Sequence, residues 1–283
     1  MKLFLKYNIV NFIKTKVGNY EESSIFDIDG TLLDCMDGIL DITPKVKKMI
    51  KSLQENGDYV FIATGRPYAL LDKNILNFGF DGFILANGAH VLINNETIHS
   101  EPIDKEFIKD LVKAFEKNNI QYILQGELYS YMKEHCKEFY AYYDGLGISR
   151  KYLTGDFNLE DIDIHKVEML CPDDETMDLC LSLAKSNPEC DYFSSVNKRA
   201  LELYLKKNTK GTAILKAIEH LGIPIENTFA FGDGKNDIEM LSTVGCGIAM
   251  GNAPDEVKKF AKEITDSVQN DGVAIGIKQF VMA

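Results

Sequence analysis

At 283 residues with a formal net charge of −12, the chain is long enough for one large domain or two moderate ones, each with its own core. The acidic balance excludes non-specific binding to nucleic acid, but not a small anionic ligand, because a bound cation and a few lysines can reverse the field inside one pocket. No apolar run approaches the ~20 residues of a membrane span. Six cysteines without a C-x-x-C pair argue against a zinc site and a disulfide framework, and for reduced thiols in a cytoplasmic protein.

The chain opens with Lys2, Lys6, Lys14 and Lys16 among short apolar stretches. Residues 1–22 read as a variable extension, with a basic amphipathic surface segment as the alternative. A first strand is predicted over Ser24–Asp29, ending at Gly30-Thr31. Thr43 as N-cap and Pro44 as the first helical residue start a helix with Val46, Met49, Ile50 and Leu53 on one face, closed by Gly57. The wholly apolar run Tyr59–Ala63 suits a strand buried on both faces. Pro67 is expected to open another helix, and Phe83–Ala86 is a third strand. Strand alternating with helix predicts an α/β fold with a doubly wound parallel sheet.

The pattern then changes. A hairpin from Val91 to Ile98 turning at Asn94-Asn95 comes first. Helices at Asp104–Lys117 and Asp173–Lys185 follow, with strands at Gln121–Leu124, Leu128–Met132 and His165–Leu170. Such a run fits an α+β insertion over residues 87–198. The α/β alternation resumes with Leu201–Leu205, a helix over Gly211–Leu221, a strand at Thr228–Phe231 and a helix over Asp237–Ser242. The expected organisation is one core, residues 1–86 with 199–283, interrupted by an inserted cap at 87–198.

Four places on this framework carry chemistry. Asp27 and Asp29 stand two apart at a strand end, where side chains share a face and where open α/β sheets bind ligands. Two such carboxylates call for a shared cation or a shared proton, and Mg²⁺ suits them. Thr64-Gly65-Arg66 ends the second strand, where a hydroxyl and N–H groups can hold a phosphate oxygen. Lys210 sits at a helix start, against the helix dipole, which hints at a compensating bound anion. Gly232-Asp233-Gly234-Lys235-Asn236-Asp237 brings two further carboxylates to the same sheet edge, and Asp233 can complete a cation site. Each element alone is weak; their joint order on the right elements is specific.

The set Asp27-Ile28-Asp29-Gly30-Thr31, Thr64-Gly65-Arg66, Lys210-Gly211 and Gly232–Asp237 resembles the four motifs of the haloacid dehalogenase superfamily, in sequence order. Gly247–Ala253, Asp271-Gly272-Val273-Ala274 and the position of the insertion are similar to the Cof-type subfamily with a C2B cap. The resemblance implies Asp27 as nucleophile and Asp29 as general acid/base. It implies Thr64, Gly65, Lys210 and Asn236 around the phosphoryl group. Mg²⁺ would be held by Asp27, the backbone carbonyl of Asp29 and Asp233, with Asp237 in support. The implied activity is a Mg²⁺-dependent phosphatase acting on a small phosphorylated metabolite, such as a sugar phosphate, pyridoxal phosphate or FMN, through an aspartyl-phosphate. A sugar phosphomutase and a non-catalytic Mg²⁺- and phosphate-binding regulatory module are the alternatives. The cap's aromatics (Tyr122, Tyr129, Tyr131, Phe139, Tyr140, Tyr142 and Tyr143) read as core and surface before they read as a ring-stacking site.

Overall fold

A computed structural model describes residues 22–35, 37–145, 148–195 and 199–283. The N-terminal extension up to residue 21, and residue 198 at the expected end of the cap, lie outside the described residues. In chain order the elements are β1 (Ser23–Phe26), α1 (Pro44–Asn56), β2 (Tyr59–Ala63), α2 (Lys73–Phe78), β3 (Gly82–Leu85), β4 (His90–Ile93) and β5 (Glu96–Ser100). Then come α3 (Lys105–Lys117), β6 (Tyr122–Gln125), β7 (Ser130–Tyr131), α4 (Lys137–Gly145), β8 (Leu153–Thr154), β9 (Lys166–Leu170), α5 (Asp174–Lys185), β10 (Cys190–Ser195) and β11 (Ala200–Leu205). The last main elements are α6 (Lys210–Leu221), β12 (Thr228–Gly232), α7 (Ile238–Thr243), β13 (Cys246–Ala249) and β14 (Glu263–Ile264).

The first sheet has the order β14-β13-β12-β1-β2-β3-β4-β5 and is parallel from β14 to β3. Strands β2 and β3 are apolar along their length because both faces of the sheet are covered there. Phe26, Val60 and Ile62 pack with Ile50 and Leu53 of α1 on one side. Ile25, Phe61 and Ile84 pack with Ile214 and Ile218 of α6 on the other. The start of α1 follows from its capping. The Thr43 side chain accepts from the Val46 N–H, Pro44 is the first helical residue, and Gly57 closes the helix at φ 92°, a conformation that favours glycine.

The second sheet has the order β10-β11-β9-β6-β7-β8. On one face Tyr122, Leu124, Val167, Met169, Leu201 and Leu203 form a core with Leu111, Phe115 and Cys180 of the helices α3 and α5. The opposite face carries Gln125, Lys166, Glu168 and Glu202. Strand register puts these side by side: Gln125 lies opposite Lys166, and Glu202 opposite Glu168. The chain enters this unit after β5 and leaves it after β11, and the two crossings are tied together. Asn208 donates to the Glu101 carbonyl at 3.2 Å, and Lys207 pairs with the Glu101 carboxylate at 2.9 Å.

Several expectations shift. The hairpin turns at Asn94 and Asn95, both at positive φ, but β4 pairs antiparallel with β3. It therefore extends the first sheet rather than opening the second. Pro67 starts only a single turn of 3-10 helix, Tyr68–Leu70. The helix proper begins at Lys73 behind its own cap, Asp72. Helix α6 starts at Lys210, one residue early, because Thr209 caps it in a reciprocal pair with Thr212. Asp237 ends a short 3-10 turn, Lys235–Asp237, ahead of α7. Tyr122, Phe139 and Tyr143 are buried in cores, whereas Tyr129 is exposed. At the junction of the two units, His90 stacks on His165 with ring centroids 5.7 Å apart. Their Nε2 atoms lie 3.0 Å from Thr97 Oγ1 and 2.9 Å from Ser100 Oγ. The six cysteines are free thiols. Among the described residues no helix is long and apolar enough to cross a membrane.

Candidate active site

The carboxyl ends of β1, β2 and β12 and the start of α6 converge at one point. Strand β1 stops at Phe26, three residues before the predicted end, and Asp27 and Asp29 have different surroundings. Asp27 is buried, its N–H donating to the Phe231 carbonyl at 3.0 Å. Asp29 lies past a bend with its side chain 56% exposed, in the fork of Arg66. Nε donates to Oδ2 at 2.9 Å and Nη2 to Oδ1 at 2.5 Å. Alternation along a strand does not reach that far.

Lys210 is fully buried and divides its ammonium between two carboxylates, Asp27 Oδ1 and Asp237 Oδ1, each at 2.6 Å. The anion that compensates a lysine at a helix start is therefore in the protein itself. The second oxygen of Asp237 accepts from the N–H groups of Asp233 and Gly234, at 3.0 and 2.8 Å. One carboxylate thus fixes both the lysine and the loop that carries Asp233. Thr31 Oγ1 donates to Asp233 Oδ1 at 3.3 Å. Gly30 makes room for this approach: at φ 82°, a side chain there would place its Cβ 2.1 Å from Asp233 Oδ2.

Carboxylate oxygens of Asp27, Asp233 and Asp237 lie within 4.8 Å of one another. The Asp29 carboxylate, turned to Arg66, is not among them. Burial pushes the Asp27 carboxyl well above the usual range, and neighbouring Asp237 and Asp29 add to this against the pull of Lys210. Asp233 is pushed up to about 6, chiefly by burial and then by Asp237. Burial pulls the Lys210 pKa down, but Asp237 and Asp27 outweigh it and hold the ammonium more firmly than usual. Three carboxylates around one ammonium are short of positive charge. An oxygen-lined site of this kind fits Mg²⁺.

The neighbouring loop completes the site. Thr64 is buried and its Oγ1 accepts from the Arg66 N–H at 3.2 Å. Gly65 abuts Asn87, whose Oδ1 accepts from Asn236 Nδ2 at 3.1 Å. All the residues singled out from sequence therefore line one region, with Asn236 at its exposed rim. Two members went unnoticed as site residues. Asn252 donates to the Gly30 carbonyl at 2.8 Å and to Asp233 Oδ2 at 3.3 Å, while accepting from the Val268 N–H at 3.0 Å. Its signal was the Gly251-Asn252-Ala253 turn after an apolar strand. Lys166, from the second sheet, donates to the Gly65 carbonyl at 3.2 Å. Nothing in its local sequence pointed here.

Residues 24–277 match the haloacid dehalogenase-like hydrolase family. The chain is 32% identical over 256 residues to YkrA of Bacillus subtilis, named a candidate phosphatase, covering 90% of this chain and 95% of that one. It is 29% identical over 269 residues to the 5-amino-6-(5-phospho-D-ribitylamino)uracil phosphatase YcsE of the same organism, covering 90% and 94%. Among solved structures, a haloacid dehalogenase subclass IIB sugar phosphatase superposes with a TM-score of 0.74 at 28% identity, covering 93% of this chain and all of that one.

Proposed function

The chain belongs to the haloacid dehalogenase-like hydrolases, and from that premise we propose that Asp27 is the nucleophile of a Mg²⁺-dependent phosphatase. It hydrolyses the monoester of a small phosphorylated metabolite. The observation that carries the residue assignments is the buried ammonium of Lys210, held at 2.6 Å by both Asp27 and Asp237 beside the Asp233 carboxylate.

Asp27, Asp233 and the backbone carbonyl of Asp29 would hold Mg²⁺, which when bound supplies positive charge against the phosphoryl oxygens. An Asp27 oxygen attacks phosphorus, the bond from phosphorus to the ester oxygen breaks, and Asp29 gives that oxygen its proton. Water then attacks the aspartyl-phosphate and loses a proton to Asp29. The bond from phosphorus to Asp27 breaks and inorganic phosphate leaves. Thr64, the N–H of Gly65, Lys210 and Asn236 hold the phosphoryl oxygens through both steps. Both Asp29 oxygens accept from Arg66, so Asp29 must turn from this fork to meet the ester oxygen. The inserted unit reaches the site through Lys166, and it would close over the bound ester and select the metabolite.

Candidate substrates are sugar phosphates, pyridoxal phosphate, FMN and ribityl phosphates like the one in the name of YcsE. The test is phosphate release across such a panel with Mg²⁺, joined to intact-protein mass spectrometry. We expect a transient phosphoryl adduct in the wild type, none in Asp27→Asn, and no turnover after exhaustive EDTA. Full activity without a divalent cation would refute this mechanism.

A further inference from the structure

A buried polar sheet face lies beside the phosphate loop and takes no part in the mechanism above. Lys166 is only 5% exposed. Its ammonium lies 2.5 Å from Glu202 Oε2 and 3.2 Å from the Gly65 carbonyl. Glu168 is also buried and accepts from the Tyr143 hydroxyl at 2.9 Å. Gln125, opposite Lys166 in the next strand, is buried with its Oε1 unbonded.

Stability does not explain this arrangement. Glu202 stands directly opposite Glu168, and acidic side chains facing across a strand pair repel. The Lys166–Glu202 pair, buried at the lysine and partly exposed at the glutamate, is no better for stability than apolar residues of the same size. The other face of the same strands, with Val167, Met169, Leu201 and Leu203, shows what a purely structural face looks like. Lys166 is also the polar group that this sheet brings to the loop next to Thr64. Its ammonium thus stands 3.2 Å from the loop at which Thr64 and Gly65 are proposed to hold the phosphate.

We propose that Lys166 and Glu202 form a charge-balanced pair that reads the leaving group, favouring an uncharged hydroxylated one over one with a further anionic group; this rests on the phosphatase reading above. Lys166 offers donors to hydroxyls and Gln125 an acceptor. Glu202 cancels the attraction that a lone Lys166 would exert on a second phosphate or a carboxylate.

The test uses full-length protein with Mg²⁺ and acetyl phosphate as the reporter substrate. Glucose 6-phosphate and glucose 1,6-bisphosphate, which differ by one phosphate, serve as competitors. The ratio of their inhibition constants is measured within each variant. Glu202→Gln leaves the ammonium uncompensated, so preference should move toward the bisphosphate by about tenfold or more. Lys166→Met leaves the carboxylate uncompensated, so preference should move the other way by a similar factor. General damage to the fold cannot produce opposite signs. An unchanged ratio, or the same direction in both, overturns the assignment. If Lys166→Met does not fold, the sign in Glu202→Gln decides alone. Acetyl phosphate turnover by the wild type tests the phosphatase reading separately, and its absence would sink that reading whatever the variants do.

Discussion

Removing the positive charge at Lys210 should destabilise the protein while it abolishes activity, and the size of the effect can be worked out. The ammonium is fully buried, 2.6 Å from each of two carboxylates. At an effective dielectric constant of about 20, each contact is worth about 6 kcal/mol before desolvation is subtracted. Most of that is offset, but truncating one side of a buried ion pair still costs about 3–5 kcal/mol, because the remaining charge has no partner. For a chain of this size each kcal/mol moves the melting temperature by about 2–4 °C. Metal-free Lys210→Met should therefore melt about 10 °C or more below the wild type. The loss should depend on pH. Without Lys210, Asp27 keeps its proton in the folded state to a higher pH than in the unfolded state. The folded state then binds the extra proton, so the variant's stability falls as pH rises above about 4. Added Mg²⁺ should raise the variant's melting temperature more than that of the wild type, since it replaces the missing charge. Thermal unfolding followed by circular dichroism, at pH 5 and pH 8 with and without Mg²⁺, measures all of this. A variant that melts within about 3 °C of wild type in EDTA would refute the reasoning.

Two further outcomes follow from the paired aspartates and the paired histidines. Asp29→Asn should lose turnover of sugar phosphates by about 10²–10⁴, yet still accept phosphate from acetyl phosphate, whose leaving group needs little protonation. Mass spectrometry should then show the aspartyl-phosphate accumulating, and near-normal turnover of a sugar phosphate would remove Asp29 from its role. Burial, with His90 beside it, lowers His165 to about 4. Its folded value lies below the unfolded one, so the stability it contributes is present above about pH 6.5 and lost as pH falls toward 4, about 3 kcal/mol in all. His165→Asn should flatten the fall in melting temperature between pH 7 and pH 4.5. An identical fall in both proteins would show that the ring does not control it.

The fold was legible where local chemistry decides it. Thr43, Pro44 and Gly57 bound α1 through capping, and Asn94-Asn95 made the hairpin through their tolerance of positive φ. Sequence patterning could not say which sheet the hairpin joins, because that depends on β3 offering an open edge. The site was legible where it rests on motifs at strand ends. At Asp29 strand alternation was extended past Phe26 into a bend, where the Arg66 fork takes up the carboxylate. The partner of Lys210 was expected to be a bound anion; the structure has Asp27 and Asp237 there instead, contacts 183 and 27 residues apart that no local pattern announces. Lys166 was invisible for the same reason: one lysine in a strand of mixed polarity acquires meaning only when Gly65, 101 residues away, lies against it.

The tie between the two crossings bears on how the first sheet can assemble. Asn208 meets Glu101 across 107 residues of chain, so β12 and α6 join β1 to β5 only after a long loop has closed. The entropy of closing a flexible loop grows with the logarithm of its length. If the inserted unit has already folded on its own core of α3, α5 and the central strands, its ends emerge side by side and the effective loop shrinks to a few residues. That order lowers the closure term by about 2–3 kcal/mol, a gain comparable to a well-buried side chain and obtained without any contact in the first sheet.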